Sequence, residues 1–183
     1  ANDFSCKFLS SHCSKSSVLS IDSTHTYAKR IREGNSKNCC ISIPIGLQSH
    51  YETVNGFVKV ENNSSALIIN TDQLLYGEEK GSQLVLSLDF EYFKNTLSVM
   101  LGGLPGVASD LISKNRLLGI EKKKSKYLFA IKSVCDLMSA FKADSHTLEA
   151  LPVDDLTYRL ASSMILDDLK NSEKSYEIST CSL

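Results

Sequence analysis

Neither sign of charge dominates this sequence: 20 Lys and Arg stand against 21 Asp and Glu, a formal net charge of −1 over 183 residues. Nonspecific nucleic-acid binding draws on a cationic surplus, so any contact with DNA has to come from another segment. Long apolar runs are missing as well. None approaches the roughly 18 residues that cross a bilayer, and the start Ala-Asn-Asp-Phe-Ser-Cys-Lys lacks the basic-then-apolar order of a signal peptide. The expectation is a cytoplasmic protein with no membrane partner. Six cysteines (Cys6, Cys13, Cys39, Cys40, Cys135, Cys181) are too irregularly spaced for a disulfide framework and read as reduced, structural thiols.

Signatures of catalysis and metal binding are equally scarce. The four histidines, His12, His25, His50 and His146, form no His-x-His pair. His50 and Glu52 share a strand face, but two ligands do not make a site. Adjacent Cys39 and Cys40 point to opposite faces of a strand, against joint ligation. There is no Gly-x-Ser-x-Gly elbow and no glycine-rich phosphate loop; the nine glycines are scattered through turns. Asp154-Asp155 and Asp167-Asp168 read as helix-start and solvent-facing charges, and Lys122-Lys123-Lys124 as a solvated surface rather than a phosphate contact. A non-enzyme without metal or cofactor follows from the want of any convergent set.

What is present is a change of period. Leu84, Leu86 and Leu88 alternate as in a half-buried strand. Asp89 then stands at a helix N-cap position, with Phe90, Phe93, Leu97 and Leu101 at helical spacing behind it. Before this junction the chain reads as strands, and after it as helices. That order predicts an α+β fold, a small antiparallel barrel or jelly roll followed by a helical region.

Residues 1–17 are polar and serine-rich and read as an arm or loop. Val18–Ile21 and Thr24–Ile31 read as strands, with His25, Tyr27, Lys29 and Ile31 on one face. Cys39, Ile41, Ile43 and Ile45 alternate in a third, where Pro44 marks an edge or bulge. Asn55-Gly56 joins two further runs as a hairpin. Ala66–Ile69, Leu74–Tyr76 and Leu84–Leu88 bring the number of expected strands to about eight. Gly102-Gly103 followed by Pro105 stops the first helix, and residues 107–121 are ambiguous. A helix from Lys126 carries Leu128, Ile131, Val134, Cys135, Met138 and Phe141 on one face. Another begins near Pro152, with Leu156, Leu160, Met164, Ile165 and Leu169 as its stripe. Residues 171–183 turn polar and read as a linker.

Two groups of residues are candidates for function. Tyr27, Lys29, His50 and Tyr76 lie on expected strands, where a barrel lumen could present them to a small-molecule effector; ordinary surface placement is the competing account. Leu156, Leu160, Met164 and Leu169 form an apolar stripe that could meet a second subunit, or could pack wholly within the chain.

The order of these elements, with Thr26-Tyr27-Ala28-Lys29-Arg30-Ile31, the hairpin, and Leu84-Val85-Leu86-Ser87-Leu88 running into a helix, resembles the N-terminal cupin-like sensor and dimerisation domain of AraC-type bacterial transcriptional regulators. The resemblance covers about residues 18–170 and is strongest over 83–101. It implies a metal-free, cupin-like barrel over 18–89 that binds a small effector. It further implies a helical region over 90–170 that packs on the barrel and forms a homodimer, and a linker over 171–183 leading to a helix-turn-helix DNA-binding module absent from this chain. Asn63-Ser64-Ser65 departs from the Pro-Gly-Asp-like turn usual there. The alternative is a stand-alone cupin-like barrel enzyme or carbohydrate-binding module whose helices buttress the barrel.

Overall fold

The computed structural model describes residues 6–13, 15–29, 38–45, 49–53, 56–60, 65–70, 74–120, 123–141, 147 and 150–180. Among them are eight strands: β1 (Cys6–His12), β2 (Ser16–Lys29), β3 (Asn38–Pro44), β4 (Ser49–Thr53), β5 (Gly56–Val60), β6 (Ser65–Asn70), β7 (Leu74–Asp89) and β8 (Arg116–Gly119). Four long helices accompany them: α1 (Phe90–Met100), α2 (Pro105–Ser113), α3 (Lys124–Ala140) and α4 (Val153–Thr180).

All of the strand pairs are antiparallel, and six strands lie in the order β1-β2-β7-β3-β6-β8. The 16-residue β7 serves two sheets. Its second half, from Gln83, runs against β3, while its first half, up to Glu78, runs against β4, which in turn pairs with β5. Gly81 sits between the halves at φ 88°, a backbone conformation that glycine adopts without a Cβ clash. Beside it β2 shifts register between Ser23 and Tyr27, so both long strands change course together. The result is the expected antiparallel β region followed by C-terminal helices.

Side-chain alternation divides the main sheet into two faces. Cys39, Ile41, Ile43, Ala66, Ile68, Leu84, Leu86 and Leu88 face the helices, joining Phe93, Leu97, Ile131, Met138, Tyr158 and Met164 in one buried core. Each fully buried Leu, Ile or Phe contributes about 1.5–3 kcal/mol here. The alternate residues Leu67 and Ile69 meet Tyr51 and Val60 of β4 and β5 in a second, smaller cluster, with Cys40 and Val58 against it.

The strand-to-helix junction forms as its sequence predicts. Asp89 is the N-cap of α1, extended at φ −60° and ψ 127°, and its carboxylate accepts the Tyr92 amide at 2.8 Å. Gly102 and Gly103, at φ 79° and 89°, end the first helical segment, and Pro105 starts α2 as its first residue. The hairpin also stands: β4 and β5 pair from Ser49 with Val60 to Thr53 with Gly56, whose φ is 116°. Asn55 itself lies outside the described residues.

Several boundaries differ from expectation. Part of the arm, Cys6–His12, is a strand that pairs residue for residue with Ser17–Ser23. A serine-rich edge strand carries little periodicity of its own, because its neighbour supplies the ladder. Two expected strand pairs are single long strands, β2 and β7: Asp22, Ser23 and Gly77 are themselves paired, and β2 stays a strand through its register shift after Ser23. Residues 107–121 hold most of α2 and then β8, which returns to the sheet beside β6, so the switch from strand to helix is not one-way. The supposed linker continues α4 to Thr180.

Candidate functional site

The space between the two sheets holds a polar group that the sequence does not advertise. Ser42 Oγ lies 2.9 Å from the Tyr51 hydroxyl and donates to Gln83 Oε1 at 3.1 Å; the Tyr51 hydroxyl stands 3.5 Å from that same oxygen. All three side chains are buried. They come from three strands, β3, β4 and β7, and are bordered by the apolar Val60, Leu67 and Ile69. Buried polar groups held in a mutual network specify one arrangement of the walls around them.

Register places the four expected effector residues on adjacent strands. Position 27 pairs with 79 and position 29 with 77; Tyr51 also pairs with Gly77, so position 29 lies in the row of Tyr51 and position 27 on the same sheet face, two residues along. His50 pairs with Glu78, and position 76 opposes Glu52, which puts positions 50 and 76 on the alternate row. His50 is exposed. The side chains of Tyr27, Lys29 and Tyr76 lie outside the described residues, as does Ile31. Sequence reasoning missed Ser42, Tyr51 and Gln83 because a polar residue alternating with Ile or Leu reads as solvent-facing. Only the second sheet turns that face inward.

The expected dimerisation residues divide by depth. Leu156 is 49% exposed, Leu160 and Leu169 are half-buried against the main core, and Met164 is wholly buried within it. Met164 therefore belongs to the chain's own core and reaches no surface. A cleft of about 240 Å³ opens between α1 and α4, lined by Tyr92, Asn95, Thr96, Val99, Asp155 and Arg159. Val99 is 72% exposed there, and Arg159 Nε donates to Asp155 at 2.6 Å.

Charges assumed to be solvated prove to be structural. Asp154 accepts the Lys15 amide at 3.1 Å and the Ser16 hydroxyl at 2.5 Å. Asp168, which is buried, accepts the Gly119 amide at 2.7 Å and pairs with Arg116. Asp167 takes Lys123 at 2.7 Å and the Tyr127 hydroxyl. Burial raises the pKa of the Asp167 carboxyl, but hydrogen bonds from Lys123 and Tyr127, with the charges of Lys123 and Lys170, outweigh it and hold the group below its ordinary value. In the lysine run, Lys124 is buried and its ammonium has no hydrogen-bond partner, so desolvation lowers its pKa.

Two thiols are held away from reactivity by burial. Cys13, Cys39, Cys40 and Cys135 form no disulfide. Burial pushes Cys39 far above the ordinary thiol value, with Cys40 adding to it, and lifts Cys135 to about 11, with Asp136 adding. Both stay protonated at neutral pH. Among the described residues, no three His, Cys, Asp or Glu side chains are grouped to hold a metal ion, and no helix is long and apolar enough to cross a membrane.

No protein-family model matches the chain, and no curated protein matches it. Its fold is nevertheless shared. The crystal structure of the AraC-like transcriptional activator CuxR superposes with a TM-score of 0.60 over 90% of this chain, at 11% identity. The match takes in 57% of that activator, so this chain spans a little over half its length. An RmlC-like cupin protein from Desulfovibrio desulfuricans matches 47% of this chain and 81% of its own, at 7% identity and a TM-score of 0.37. The arrangement of sheets and helices is thus that of a domain found in an AraC-like activator.

Proposed function

We propose that this chain is the effector-sensing and dimerisation domain of an AraC-type transcriptional regulator. The observation that carries the reading is the buried Ser42, Tyr51 and Gln83 group, on the far side of a sheet whose other face supports the helices. A small polar effector would exchange hydrogen bonds with these side chains, and positions 27 and 29 lie on the sheet face of Tyr51. The apolar surface at Leu156 and Val99 is the dimerisation face, while Leu160 and Leu169 are half-buried against the chain's own core. Asp155 and Arg159 give that face charges of both signs, which a two-fold axis can pair across copies. DNA contact belongs to a separate helix-turn-helix module, because this chain carries no cationic surplus. A regulatory rather than an enzymatic role fits the protonated thiols.

Sedimentation equilibrium over a wide concentration range tests the dimer. The expected result is a reversible dimer that Leu156→Glu converts to monomer at equal fold stability. A strict monomer at the highest concentration overturns that part of the reading. Thermal-shift screening against small polar metabolites tests the sensor, with Ser42→Val as the variant that should lose the shift. A hit that survives Ser42→Val binds elsewhere.

A further inference from the structure

Helix α4 is fastened to the main sheet at two widely separated places. At its start, Asp154 holds the Lys15 amide and the Ser16 hydroxyl, and the Tyr158 hydroxyl donates to the Lys15 carbonyl while accepting the Asp89 amide at 2.8 Å. These atoms lie at the β1–β2 corner and at the β7–α1 junction. Fourteen residues later, Asp168 binds both ends of β8, through the Gly119 amide and Arg116, and Asn171 Nδ2 donates to the Gly119 carbonyl at 3.4 Å.

These two places lie at opposite edges of the sheet, where β1 and β8 are the first and last strands in the order. From β2 to β8 there are four strand spacings, about 19 Å, and from the Asn70 end of β6 to the Ser65 end about 17 Å along the strands. The diagonal is therefore about 25 Å. Asp154 to Asp168 covers about 21 Å of helix at 1.5 Å per residue, and an aspartate reaching out at each end closes the difference. Between the pins Ala161, Met164 and Ile165 pack in the same core as Leu86 and Ile68, with Thr157 and Ser162 buried among them.

We infer that α4 is a strut pinned across the diagonal of the sheet, so that a change of sheet curvature is read as movement of α4 against one of its pins. Ser42 and Gln83 lie on the opposite face of this same wall. A molecule wedged there alters the separation of the edges while the length of the helix stays fixed. The pins thereby couple the space between the sheets to the Leu156 surface. That last link rests on the sensing role proposed above, whereas the strut itself does not.

Amide hydrogen exchange on the full chain tests the strut without an effector. Asp154→Ala should speed exchange of the Gly119 amide about tenfold, and Asp168→Asn should do the same at the Lys15 and Asp89 amides. Each rise is judged relative to the central Ile41 and Leu86 amides, which report global unfolding. Ser16→Ala, which removes one hydroxyl bond and leaves the rest, should give the same pattern more weakly and covers the case in which Asp154→Ala folds poorly. Acceleration confined to the mutated end, or rising only in step with Ile41 and Leu86, overturns the inference. A missing effector or a monomeric chain would defeat the proposed function and leave this result standing.

Discussion

The Tyr158 hydroxyl accepts the backbone amide of Asp89 at 2.8 Å, so a side chain from the last long helix is bonded to the residue at which the sheet becomes the first helix. The same hydroxyl donates to the Lys15 carbonyl. Its ring stacks edge-on against Tyr92 at 4.6 Å, and the Lys15 ammonium lies 4.5 Å from the centre of the Tyr92 ring. Burial raises the pKa of the phenol, with Asp89, Asp154 and Tyr92 nearby, so it remains a donor at all physiological pH. Tyr158→Phe keeps the ring and removes the node. It should cost about 0.5–1.5 kcal/mol in urea unfolding, the usual net worth of a hydrogen bond, because the Asp89 amide also reaches the Lys15 carbonyl at 3.3 Å. A change below a few tenths would show that water replaces the hydroxyl without loss.

Asp89→Ala removes the α1 N-cap and leaves the Tyr92 amide without its acceptor. Destabilisation of about 1 kcal/mol is expected. Asp89→Asn should recover most of it, since an amide oxygen caps nearly as well as a carboxylate. Equal losses for the two variants would instead assign the effect to charge.

Lys124 should be a liability. Its buried ammonium lacks a partner and its folded pKa lies below the unfolded value. In the window between those two values the unfolded state binds more protons, so stability rises with pH there and the penalty is complete below the folded pKa. Lys124→Met keeps the apolar stem and should raise stability by about 1–3 kcal/mol at pH 7. The gain should shrink as the pH approaches 10. A destabilised variant at pH 7 would contradict the assignment.

Asp167 has the opposite sign. Lys123 and Tyr127 hold its folded pKa below the ordinary value, so its contribution is fully present above the unfolded carboxylate pKa of about 4 and is lost as pH falls through the folded one. Chemical denaturation of the native chain and of Asp167→Asn should differ at pH 7 and converge toward pH 2. A constant gap across that range would exclude the carboxylate's ionisation as the cause.

Between the sheets, Ser42→Ala and Tyr51→Phe each remove one member of a shared network. A double-mutant cycle should return a coupling of about 0.5–3 kcal/mol, as for residues in one hydrogen-bond network. Additive losses would mean that the two hydroxyls act independently.

The amino-acid sequence by itself determined the local events. The alternation of Leu84, Leu86 and Leu88, the cap at Asp89, the glycine stop at 102–103 and the positive φ at Gly56 each depend on a backbone preference or a period that neighbouring residues carry. These made the β region, the junction and the helices legible. What tertiary structure decided was which side of each strand faces inward and which charges are structural. Ser42 and Gln83 look like surface positions until β4 and β5 fold over them, and Asp168 looks solvent-facing until β8 returns to the sheet. The Cys6–His12 strand exists because β2 offers it a ladder. Such contacts join residues tens of positions apart, and no local period or propensity encodes the partner that satisfies a hydrogen bond across that distance.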